Sequence, residues 1–181
     1  MANRYRVSDD TNIYFTTSTL VWWTPVFISS KTCDILCDSL NFCREKKDLR
    51  VHGYVIMPTH FHAILSTEDS TDLSSVLRDL KRHTSQALVE YFENSEWQLP
   101  LRAFERAARG LPDGRKHKVW EESFHPKGLF TPDVFGQKLE YIHSNPVRKG
   151  LVSEASHWIY SSARFYETGE EGPVTVDWVE M

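Results

Sequence analysis

Residues 54–66 read YVIMPTHFHAILS, two apolar runs hinged at Met57, Pro58 and Thr59. Pro58 cannot donate to a β ladder, so residues 52–57 and 60–66 are expected as consecutive antiparallel strands joined by a turn. Successive side chains of a strand point to opposite faces, which puts His60 and His62 on one face and Phe61, Ala63 and Leu65 on the other. Two imidazoles are thereby aimed into the same space. Neutral imidazole is the commonest protein metal ligand, but two leave any metal short of partners, and same-face histidines also suit burial against backbone acceptors. The rest of the chain has to supply what is missing.

At 181 residues the chain fits a single domain spanning residues 1–181, with a core of its own. A hydrophobic share of 40% and an aromatic share of 13% exclude wholesale disorder. No apolar run is long enough to cross a bilayer, so no membrane partner is expected. The start, MANRYRVSDD, lacks the basic-then-apolar pattern of a signal peptide, and the cytoplasm is the expected location. Cys33, Cys37 and Cys43 repeat with Leu36 and Leu40 at helical spacing and read as apolar filling, not as a zinc site or disulfide. The formal charge of −4 hides a segregation. Cations gather at residues 78–83 and 102–118, while an acidic tail, residues 167–181, has neither Lys nor Arg.

Residues 12–27 carry the Thr, Tyr, Val and Trp bias of a strand that ends around Pro25, and a helix follows over about 30–47. The next helix takes Ser70, Thr71 or Asp72 as its cap and turns Leu73, Leu77, Leu80, Ala87, Leu88 and Tyr91 inward. Its other face mixes Ser74, Ser75 and Ser85 with Arg78, Lys81 and Arg82, a composition suited to phosphate oxygens. Residues 94–117, broken by Pro100, Gly110, Pro112 and Gly114, read as a mobile basic insertion around a short helix over 101–109. Residues 118–130 read as a strand or hairpin edge. Thr131 and Pro132 then open a last helix, which Pro146 is expected to end at Asn145. On it Val134, Lys138, Tyr141 and Asn145 form one row. If that row faces the histidines, Tyr141 is a candidate nucleophile and Asn145 a candidate oxygen ligand.

At these residues the chain resembles a family. MPTHFH (residues 57–62) is similar to the histidine, hydrophobe, histidine motif of the HUH superfamily of single-strand endonucleases. YIHSNPVRKGLV (141–152), followed by WIYSS (158–162), resembles the C-terminal signature of the REP-associated tyrosine transposases, relatives of the IS200/IS605 single-tyrosine transposases. The resemblance runs from about Tyr14 to Phe165, with elements of the right type in the right order.

The resemblance implies His60 and His62 as ligands of a divalent ion, Mg²⁺ or Mn²⁺, with Asn145 as candidate third ligand and Tyr141 as the attacking residue. It implies cleavage of single-stranded DNA at hairpins such as REP-like repeats, leaving a 5′-phosphotyrosine and a free 3′-hydroxyl. The implied fold is α+β: a ferredoxin-like antiparallel sheet of the HUH endonuclease type, with helices on one face and the tyrosine helix over the open face. Arg78, Lys81, Arg82 and Lys138 are then expected along the DNA backbone, with Arg115 and Lys116 of the insertion as a second surface. Tyr160 and Tyr166 are the competing tyrosines, and His143 an alternative metal or proton-transfer group. Thr59 stands where family members often carry Asn. The oligomeric state stays open between homodimer and monomer. Two rival readings remain: a hairpin-DNA-binding protein without catalysis, and a metal-dependent hydrolase using His60, His62, a carboxylate and an activated water.

Overall fold

The computed structural model of the chain describes residues 5–6, 13–68, 71–122 and 126–180. A short strand, β1 (Tyr5–Arg6), pairs in parallel with residues of the C-terminal segment. β2 (Tyr14–Thr19) leads into α1 (Ser30–Lys46), and the hairpin follows as β3 (Leu49–Met57) and β4 (His60–Thr67). Then come α2 (Leu73–Glu93), α3 (Leu99–Ala108), β5 (Lys127–Gly128), α4 (Pro132–Arg148), α5 (Ala163–Thr168) and β6 (Val179–Glu180), the partner of β1. The main sheet has the order β3-β4-β2-β5 with every neighbouring pair antiparallel. Read as β2-α1-β3-β4-α2-β5, this is the ferredoxin-like arrangement, its first and third strands central. Among the described residues, no helix is long and apolar enough to cross a membrane.

The hairpin turn is held from outside. Met57 lies opposite His60, and the Pro58 carbonyl between them accepts the amides of Val26 (2.9 Å) and Phe27 (3.0 Å), while the Thr59 carbonyl accepts that of Leu20 (3.0 Å). The strand expected to run to Pro25 therefore stops at Thr19. Val21 to Trp23 form a tight turn closed by the Thr24 hydroxyl on the Val21 carbonyl (2.6 Å), and Trp22 and Trp23 take φ of +52° and +56°. Strand propensity yields here to amides recruited by the turn and by residue 119, whose carbonyl accepts from Val21.

Alternation then sorts the side chains. Tyr54, Ile56, Phe61, Ala63 and Leu65 face α1 and α2, whose Cys33, Leu36, Cys37, Leu40, Cys43, Leu73, Leu77, Leu80 and Leu88 complete a continuous core. The three cysteines are free and buried, as their spacing predicts. Asp72 is the cap of α2, its carboxylate accepting from the amides of Ser74 and Ser75. The other face carries Ile13, Phe15, Val55, Met57 and Ile64 under Phe135, Leu139 and Ile142 of α4. α4 lies very close to the sheet: a Cβ on Gly53 would sit 2.7 Å from Leu139 Cδ1 and 3.2 Å from Ile142 Cδ1. Glycine at this position is what permits the approach.

Three further expectations need correction. α4 does not end at Asn145 but continues through Pro146 to Arg148. Proline this near the end forfeits one bond, and the last carbonyls are capped by Lys149 on Asn145 (3.1 Å) and Leu151 on Pro146 (2.9 Å). The basic insertion is built around α3, which buries Leu101 and Phe104 in the main core. Of residues 118–130, only Lys127–Gly128 form a strand, and Trp120 makes a single bridge to Leu20, residues 123–125 lying outside the described part. The acidic tail is strapped down: the Asp177 carboxylate takes Arg44 (2.8 and 2.9 Å) and the Val51 amide (2.8 Å), covering the edge strand β3.

Candidate active site

β4 presents His60 and His62 to the α4 side of the sheet, ring centroids 4.7 Å apart and inclined at 74°. Each ring is pinned at Nδ1 by a threonine hydroxyl. Thr17, cross-strand partner of His62 on β2, contacts it at 2.8 Å, and Thr59 of the turn contacts His60 at 2.9 Å. When those hydroxyls accept from Nδ1–H, the lone pair is left on Nε2, the tautomer a metal ligand needs. Burial drives the His62 pKa down to about 3, with the charges of His60, Arg148 and Lys138 adding to it. His60 is lowered by burial and by Lys149. Both rings are neutral at pH 7, ready to donate electron pairs.

α4 sets Tyr141 against this pair. Its ring centroid is 5.5 Å from His62 and 6.1 Å from Phe15, which itself stacks on His62 at 5.5 Å. Two cations flank the phenol ring: Arg148 Cζ at 4.7 Å and Lys138 Nζ at 5.6 Å from its centroid. Asn145 is buried on the same row. Its amide donates to the Tyr141 carbonyl (2.9 Å), and its Oδ1 lies 3.5 Å from Arg148 Nη2.

The competing groups are committed elsewhere. The Tyr166 hydroxyl donates to the His52 carbonyl (2.6 Å) and the Tyr160 hydroxyl to Asp34 (3.3 Å). His143 Nε2 is paired with Ser162 Oγ at 2.8 Å, away from the pair. Among the described residues no three His, Cys, Asp or Glu side chains come together as a metal site, so no carboxylate joins His60 and His62 as the hydrolase reading requires.

The expected DNA-binding cations divide between two places. Lys138 is at the site. Arg78, Lys81, Arg82 and Arg115 line a separate cleft of about 710 Å³, together with Lys118 and over a wall of Trp120, Glu121 and Glu122. Lys116 is exposed beside it but outside its lining. α2 packs on the sheet face opposite the histidines, so the cleft does not open directly onto them. Both places do lie at the same end of the sheet: Glu121 N donates to Thr19 O (2.8 Å), and Thr19 pairs with His60. Sequence reasoning missed Arg148, Lys149, Thr17 and Phe15. Arg148 was legible as the next member of the Lys138, Tyr141, Asn145 row, had the helix not been ended early, whereas Thr17 depends on strand register.

No family model matches the chain. Over 165 residues, 87% of this chain and 83% of its relative, it is 25% identical to the REP-associated tyrosine transposase of Escherichia coli strain K12. A solved structure of a REP-associated tyrosine transposase bound to a REP hairpin aligns with a TM-score of 0.64, covering 100% of this chain and 92% of that one at 20% identity. The chain resembles the REP-associated tyrosine transposases in sequence and in fold. A transposase of this kind has the mixed α+β sheet described above, and the likeness extends across both the hairpin of His60 and His62 and the helix of Tyr141.

Proposed function

We propose that the chain is a metal-dependent single-strand DNA endonuclease and strand transferase that works through Tyr141 at hairpin-forming DNA such as REP-like repeats. One observation carries the reading: a tyrosine packed on His62, its hydroxyl in no hydrogen bond among the described residues, beside a pair of neutral imidazoles whose Nε2 atoms take no partner among those residues either. The hairpin bound by the solved relative supports the choice of DNA.

His60 and His62 would hold a divalent ion with the Asn145 oxygen as third ligand, a mixed imidazole and amide-oxygen set compatible with Mg²⁺ or Mn²⁺. When bound, such an ion offsets charge on the non-bridging oxygens of the scissile phosphate. The protein's own groups do the rest. The Tyr141 oxygen forms a bond to phosphorus, its phenolic proton departs, and the P–O3′ bond breaks, the 3′ oxygen taking up a proton. Arg148 and Lys138 flank the phenol where the phosphate must arrive and favour its negative charge. The 5′-phosphotyrosine keeps the energy of the phosphodiester, so attack by another 3′-hydroxyl rejoins strands without ATP.

A denaturing gel of end-labelled hairpin oligonucleotides with Mg²⁺ or Mn²⁺ tests this. A covalent protein-DNA adduct is expected with the natural chain and none with Tyr141→Phe. Hairpin binding with no adduct in either protein would sink the catalytic reading and leave a binding protein.

A further inference from the structure

Trp22 and Trp23 are 54% and 62% exposed, on the turn that follows β2. Both have positive φ, a conformation that favours Gly or Asn and that bulky side chains rarely adopt. The turn is nevertheless fixed: Trp22 N donates to Glu121 Oε1 (3.1 Å), and Trp23 N donates to Leu20 O (3.0 Å). Two large indoles are thus held into solvent at a position where a small polar residue would relieve the backbone. Strain of this kind collects at functional sites.

Their neighbours define what they face. The Trp23 ring stands edge-on to His60 with centroids 5.4 Å apart. The Arg106 guanidinium lies over the Trp22 ring at 5.7 Å. Glu121, which anchors the Trp22 amide, belongs to the wall of the cleft lined by Arg78, Lys81 and Arg115. In that cleft Arg82, Arg115 and Lys118 are paired with carboxylates, but no ion pair engages Arg78 or Lys81 among the described residues. The indoles therefore stand between a cleft with unspent positive charge and the histidine pair.

We propose that Trp22 and Trp23 form a stacking step for unpaired bases of a strand that passes from the basic cleft to His60 and His62, an inference that rests on the single-strand reading above. Exposed aromatic faces set among cations match the two parts of a single strand, flat bases and a phosphate chain. Paired bases are already stacked within a duplex and offer no face to an indole. An apolar protein partner would leave Arg106, Arg78 and Lys81 without counter-charges.

The test compares the natural chain with Trp22→Ala/Trp23→Ala and with Trp22→Asn/Trp23→Asn, since Asn tolerates positive φ and preserves the turn. Fluorescence anisotropy follows binding to a blunt hairpin and to the same hairpin with a single-stranded tail carrying 2-aminopurine. Both variants are expected to bind the tailed hairpin more weakly, by about 5- to 150-fold per stacked base, to lose the quenching of 2-aminopurine, and to bind the blunt hairpin as the natural chain does. Tail affinity and quenching unchanged in the Asn variant would overturn the stacking step while leaving the single-strand reading standing. No binding of tailed DNA by the natural chain would overturn both.

Discussion

On the α1 and α2 side, the sheet buries Tyr54, Phe61 and Leu65 in a core that continues through Phe92 of α2 to Phe104 of α3. On the α4 side the apolar contact is smaller, and toward the start of β4 it gives way to Thr17, His60, His62 and Tyr141. One face holds the fold together, and the other can therefore keep a polar cluster at the end of its apolar contact. Histidines make the same comparison in miniature. Burial lowers the pKa of His52 and His143 to about 4, much as it lowers that of His62. Yet His52 spends both nitrogens, on Ser66 Oγ and the Asp177 carbonyl, each at 2.8 Å. A lowered pKa marks burial, whereas two imidazoles converging with centroids 4.7 Å apart mark the site.

The sharpest way to break the comparison is to delete one group from each face. Tyr141→Phe is expected to lower strand cleavage by at least about three orders of magnitude with no change in thermal midpoint, because the hydroxyl bonds to none of the described residues. Phe61→Ala is expected to cost about 3–5 kcal/mol of stability, read from urea denaturation. Equal losses of stability in the two variants would show that the faces are not divided as described.

A smaller effect is expected from Thr17→Val, which removes the hydroxyl that orients His62. Affinity for Mn²⁺, measured by titration calorimetry, should fall by about 10- to 100-fold at unchanged stability. Unchanged affinity would show that the Thr17 hydroxyl does not hold His62 for a metal.

The buried histidines supply a pH test. His52 and His143 stay neutral in the folded protein down to about pH 4, while in the unfolded chain they take up protons below about 6.5. The unfolded state binds more protons in that window, so stability is lost as pH falls from about 6.5 toward 4, by up to about 1.4 kcal/mol per pH unit for each histidine. The carboxylate of Asp177, held below its ordinary value by Arg44 and the Val51 amide, adds its loss only at lower pH. Urea midpoints across this range should have a shallower slope in His143→Gln, and an unaltered slope would contradict the assignment.

The mildest change is in the cleft. Arg78→Glu with Lys81→Glu should leave cleavage chemistry intact and flatten the salt dependence of binding by roughly 0.7 in log–log slope per lost phosphate contact. A slope identical to that of the natural chain would remove α2 from the DNA path.

What was legible in the sequence was local. Alternation alone put His60 and His62 on one face, and Thr131 with Pro132 set the start of α4 to the residue. What escaped depends on partners far along the chain. The turn at Trp22 is fixed by the Glu121 side chain and by residue 119, and Thr17 meets His62 only through the β2 and β4 register. Pro146 misled because the cost of proline depends on how many carbonyls lie beyond it, and here the capping amides of Lys149 and Leu151 absorb the loss. The side of the sheet taken by α2, and with it the distance of Arg78 and Lys81 from the histidines, follows from connection handedness and not from residue pattern.

The close seat of α4 over Gly53 also sets the height of the nucleophile. Tyr141 lies in sequence between Leu139 and Ile142, the first two side chains that a Cβ at position 53 would strike, at 2.7 and 3.2 Å. Any larger residue there has to lift the helix at the level of the phenol, so an absent side chain on β3 is what keeps Tyr141 down against His62.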